Sequence, residues 1–137
     1  MYEQFEHTAD LGLRIHAASM AELFVEAAHA LTNALVERLD SIEPAGQRTI
    51  RLEATEPTDL LHDWLAELLY LFAAERMLFR RFDVSLLPGK LEATAWGEPL
   101  DPRRHEIGQE IKAVTYHGLK IEPTTDGGWL AEVIVDL

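Results

Sequence analysis

A chain of 137 residues with a formal charge of −12 and 47% apolar residues is sized for one domain and too apolar to stay disordered. It has no cysteine, which excludes disulfides, thiolate nucleophiles, Cys-bound zinc and iron–sulfur clusters and points to the cytoplasm. The longest apolar run, Leu68 to Ala74, is too short for a membrane helix, the N-terminus lacks a signal-peptide pattern, and a pI near 4.8 disfavours direct binding to nucleic acid or anionic lipid.

In chain order, Phe5, Leu11, Leu13 and Ile15 alternate with polar residues and predict one or two strands broken near His7-Thr8-Ala9. On the second of these, Asp10, Gly12, Arg14 and His16 share the face opposite the apolar one. Ser19 and Glu22 have capping-box spacing. Leu23, Phe24, Ala27, Ala28, Leu31 and Leu35 then form an apolar stripe, predicting a helix that ends near Leu39. Gln47–Thr55 alternates as a strand, and Pro57 suits the first turn of a second helix. That helix carries Leu60, Leu61, Trp64, Leu65, Leu68, Leu69 and Phe72 on one stripe and runs to about Met77. Phe82–Leu87 and Leu91–Trp96 flank Pro88-Gly89 as a hairpin. After a loop with Pro99, Pro102 and Gly108, the last strands are Ile111–Ile121 and Trp129–Leu137. Two amphipathic helices packed with a mostly antiparallel sheet make a single α+β domain.

Among the histidines, no pair has the helical spacing of a zinc site. His29 and His62 fall off the apolar stripes and His105 sits beside Arg103 and Arg104, so all three read as surface residues. His7 and His117 lie at strand ends among small polar residues, where binding groups gather. There is no GxSxG elbow and no phosphate-cradling GxxxxGK[ST] loop. Two carboxylates stand out from the solvated acids. Asp10 opens a strand near one end of the chain, and Asp136 adjoins the main-chain carboxylate of Leu137 at the other. Together these oxygens suit a hard divalent cation, Ca²⁺, Mg²⁺ or Mn²⁺.

Four separated segments carry a likeness to a known family. They are His7-Thr8-Ala9-Asp10 running into Leu11-Gly12-Leu13, the helical stretch Asp59 to Tyr70, Lys112-Ala113-Val114-Thr115-Tyr116-His117, and Val135-Asp136-Leu137. In these the sequence resembles the archease family over essentially its whole length, which implies one archease-like domain spanning 1–137. The resemblance implies a small α+β protein, not itself an enzyme, that activates an RtcB-type RNA ligase in tRNA splicing. Such ligases join broken RNAs using GTP and a divalent metal. The activator would speed formation of the ligase–guanylate intermediate and restore the ligase for repeated turnover. The family's metal site falls on Asp10, Asp136 and Leu137, with His7 and His117 as neighbouring or partner-facing groups.

Two other functions compete with that expectation. A metal-dependent hydrolase would use Asp10, Asp136, His7 and His117 around a cleft with a water-activating base. A chaperone-like binding module would carry a large exposed apolar patch beside the helices.

Overall fold

Alternation commits one face of each strand to the core, and the pairing register identifies that face. The computed structural model describes residues 1–7 and 10–137, and all their side chains except those of Glu6 and His7. β1 (Tyr2–His7) pairs antiparallel with β2 (Asp10–Ala17), and β2 with β8 (Trp129–Asp136) from the other end of the chain. Leu11, Leu13 and Ile15 stand opposite Val135, Val133 and Ala131, and all of them are buried. The free edge of β8 carries β6 (Ala113–Val114) and β7 (Lys120–Pro123). These two short strands replace the single strand expected over Ile111–Ile121. The break falls at the turn after Tyr116, where Gly118 takes a φ of +60°.

The outer face of this sheet is ordered by charge. Glu3, Arg14, Glu132 and Lys120 form a row of alternating sign, with Arg14–Glu3 at 2.7 Å and Lys120–Glu132 at 3.2 Å. Each such cross-strand pair contributes about 0.2–1 kcal/mol.

α1 (Met20–Leu35) starts as its spacing predicts, the Ser19 hydroxyl accepting the Glu22 N–H at 3.2 Å. It stops at Leu35 rather than Leu39 because the 100–110 loop takes over its last carbonyls. The Gly108 and Gln109 N–H groups donate to Leu35 and Ala34 at 2.9 and 2.7 Å, and Val36 turns extended to bridge Ile107. α2 (Pro57–Glu75) has its proline in the first turn and ends on Arg76 in the left-handed region.

β3 (Gly46–Glu53), β4 (Met77–Leu87) and β5 (Lys90–Pro99) form a second sheet in the order β3-β5-β4. β4 begins at Met77 rather than Phe82, because Met77, Leu78 and Phe79 are already buried. α1 contacts β2 and β4, while α2 contacts β3, β4 and β5 on one side and β6 and β7 on the other. The helices thus fill the space between two sheets, and the expected α+β single domain divides its strands between them. Fully buried Trp64 ties the helices together, its indole N–H donating to the Phe24 carbonyl at 2.9 Å.

Gly97 marks the tightest strand contact. A β-carbon there would lie 1.7 Å from the Leu78 carbonyl oxygen, where β4 bulges between Phe79 and Arg81. Backbone cannot yield as a side-chain tip does. Gly97→Ala is expected to cost about 3 kcal/mol or more in urea unfolding, at the upper end of overpacking penalties; an unchanged midpoint would contradict this packing.

Candidate functional site

The register that sets Leu11 against Val135 also sets Asp10 directly opposite Asp136. Both carboxylates stand on the outer face and are half-buried. His7 at the end of β1 pairs with Asp10, and Ala113 at the start of β6 pairs with Asp136. The Lys112 N–H donates to the Asp136 carbonyl at 2.8 Å. Four strand ends therefore meet at one end of the large sheet. In the charged row further along, each carboxylate faces a cation; here two carboxylates face each other. Like charges placed directly opposite destabilise a sheet.

Leu137, the residue after Asp136, is half-buried against the core. Among the described residues, no three His, Asp or Glu side chains gather to hold a metal. The pair supplies two oxygen-donor side chains with no soft ligand, which fits a hard cation only if main-chain oxygen completes the set. The side chain of His7 lies outside the described residues. His117 is exposed in the turn after β6, its N–H donating to the Thr115 hydroxyl, which itself donates to the Ile134 carbonyl. That places it beyond the Asp136 row, along an edge that runs away from the pair.

Among the described residues, several open clefts lie elsewhere. One of about 490 Å³ lies among His16, Ala21, Val25 and Val84, and one of about 550 Å³ among His29, Ile42, Arg80 and Phe82. Neither is lined by Asp10, Asp136 or Leu137.

Three histidines expected at the surface are not solvated there. His62 has one ring nitrogen 3.0 Å from Asp63 and the other 3.0 Å from the Val114 carbonyl, and its ring stacks on Tyr116 at 3.9 Å. It fastens α2 to the strand that borders Asp136. His105 is 1% exposed: its Nδ1 accepts the Asp101 N–H and its Nε2 donates to Glu98. His29 lies edge-on to Phe82 with its Nε2 buried. Helical stripes mark only the side packed on the nearest core. They are silent on the short strand β6 and the 100–110 loop, which close over the flanks. A histidine followed by an acid, as in His62-Asp63, was the signal available.

The buried Glu98 carboxylate collects most of the polar bonding in that loop. It accepts from the Arg104 guanidinium, from the Glu43 N–H at 2.7 Å and from His105 at 2.9 Å. Arg104 foremost, with Glu43 and His105, holds its pKa down at about 2 against the desolvation that opposes them.

With this geometry in hand, the likeness to known proteins is extensive. The profile of the Archease protein family matches residues 2–137. The curated "Protein archease" of Methanopyrus kandleri is 44% identical, and that of Pyrococcus abyssi 39%, each over 99% of this chain and 99% and 98% of theirs. The solution structure of Methanobacterium thermoautotrophicum protein 1598 superposes with a TM-score of 0.81 at 31% identity, covering 99% of this chain and 98% of that one. A crystal structure from Thermotoga maritima, described as an archease and possible chaperone, gives 0.66 at 26% identity, covering 100% and 98%.

Proposed function

Because the chain belongs to the archease family, we propose that it is a protein cofactor of an RtcB-type RNA-splicing ligase, with no ligase or GTPase chemistry of its own. The observation that carries this reading is the Asp10–Asp136 pair at a corner of the large sheet, on a protein of net charge −12. An acidic projection suits insertion into the basic surface of an RNA enzyme, and it does not compete for the RNA. Asp10, Asp136 and the Leu137 carboxylate would hold a divalent cation (Ca²⁺, Mg²⁺ or Mn²⁺), which supplies positive charge at the tip. The remaining work is positioning. The Lys112 N–H bond to Asp136 holds β6 beside β8, and the His62 contact to Val114 fastens α2 to β6.

The hydrolase reading needs a cleft around the carboxylates, and the clefts outlined by described residues are not lined by Asp10, Asp136 or Leu137. The chaperone reading draws on the description of the Thermotoga maritima relative. It needs a contiguous apolar patch. Among the described residues the large exposed apolar side chains are Met1, Tyr70, Leu87, Ile107 and Tyr116, and the two tyrosines stand beside acids of α2 rather than in an apolar patch.

Labelled GTP distinguishes these. The cognate ligase is expected to acquire its covalent guanylate faster with this protein present. An unchanged rate, or GTP hydrolysis by the purified protein alone, would overturn the proposal.

A further inference from the structure

Helix α2 carries a surface that the carboxylate pair does not explain. Pro57 to Glu75 contains no lysine or arginine, but four acids: Asp59, Asp63, Glu67 and Glu75. Leu61, Trp64, Leu65 and Leu68 turn to the core. Helical spacing sets Asp59, Asp63, Ala66, Glu67 and Tyr70 on the opposite stripe. Tyr70 is 59% exposed and the Asp63 side chain 43%. Tyr116 adds a second aromatic ring, 58% exposed and lying nearly flat on His62, with an interplanar angle of 15°. His62 is itself fixed between Asp63 and the Val114 carbonyl. Partial desolvation, followed by the Asp63 and Asp59 charges, raises the Tyr116 pKa.

Tyr116 stacked on His62 beside Asp63, and Tyr70 one turn after Glu67 on α2, are aromatic rings on ordered supports next to acids, which keeps their ordering cost low. We propose that the outer stripe of α2 from Asp59 to Tyr70, with Tyr116 set on His62 beside its Asp63 end, docks a lysine- or arginine-bearing surface of a protein partner. Charge complementarity selects the occupant: aromatic faces attract cations, and carboxylates take guanidinium groups in charge-assisted hydrogen bonds. A phosphate backbone would meet only repulsion, and a second copy of this chain would bring the same acids. Naming the partner rests on the ligase reading above; the surface is separate from the Asp10–Asp136 pair.

The test measures association with the cognate ligase at rising salt for wild type, Glu67→Lys, Tyr70→Ala and Asp136→Asn, after checking that melting temperatures match. Neither Glu67 nor Tyr70 touches His62, so the substitutions leave that support intact. Glu67→Lys is expected to slow association about tenfold at low salt and flatten its salt dependence. Tyr70→Ala should raise the dissociation rate about tenfold, and Asp136→Asn should keep the salt slope. A wild-type protein that does not bind the ligase at all would overturn the ligase reading and this inference with it. Wild-type binding that both α2 variants reproduce, with the same salt slope, would overturn the docking surface alone. Self-association of the wild type that Tyr70→Ala abolishes would reassign the face to a dimer and also overturn it.

Discussion

Asp136→Asn protein is expected to fold normally and leave the RNA ligase at its unaided rate. The substitution keeps the shape of the side chain and removes one of two negative charges that stand opposite across β2 and β8. Losing a like-charge neighbour costs the apo fold nothing and relieves repulsion, so its melting temperature without metal should equal or exceed wild type. With millimolar Ca²⁺, Mg²⁺ or Mn²⁺ the wild type should gain thermal stability by mass action, and the variant should not. Asp10→Asn should likewise lose the metal-dependent gain and the activation, as should a chain extended past Leu137, which moves the main-chain carboxylate away. Folded Asp10→Asn and Asp136→Asn proteins that still activate the ligase fully would remove the pair from the function.

Glu98→Gln is expected to destabilise by about 3 kcal/mol, within the range for breaking a buried charge pair. An amide in its place presents N–H groups to a site already filled by donors from Arg104, Glu43 and His105. The lowered pKa adds a pH signature. A carboxyl at about 2 in the fold and 4.5 when free contributes stability that is fully present above pH 4.5. That contribution falls away as pH drops from 4.5 towards 2, and totals about 3 kcal/mol. Urea unfolding at several acid pH values should give a steep acid limb in wild type and a shallower one in Glu98→Gln. Parallel limbs would show that Glu98 is not the group responsible. The 100–110 loop would loosen first, exposing the Ala34 and Leu35 carbonyls it now satisfies.

The helices were legible in the sequence because Leu23, Phe24, Ala27 and Leu31, and likewise Leu61, Trp64, Leu65 and Leu68, repeat at helical spacing and bury that stripe. The alternations Leu11-Leu13-Ile15 and Ala131-Val133-Val135 likewise revealed two core-facing strands. Alternation does not name a strand's partner, however. That Asp10 faces Asp136 follows from the closing of the sheet by the two ends of the chain, which pattern alone cannot fix. Boundaries moved where tertiary contacts compete with local signals: the loop at Gly108 ends α1 early, and buried Met77 to Phe79 start β4 early. His62 was misread because periodicity treats whatever lies off the apolar stripe as water, and β6 occupies that space; His105 was misread because its neighbours Arg103 and Arg104 read as surface, while the loop folds its ring onto Glu98. The carboxylate pair was legible as chemistry, its register was not, and Tyr116 on His62 gave no sequence signal beyond a tyrosine next to a strand.

Activation of a partner enzyme is measured most directly by multiple-turnover RNA joining with the cognate ligase limiting and RNA, GTP and metal in excess. With this protein present, product should exceed the ligase concentration many times over, and without it joining should stall near one equivalent. Equal turnover with and without the protein, under conditions where the ligase is active, would contradict the proposed role as a ligase cofactor.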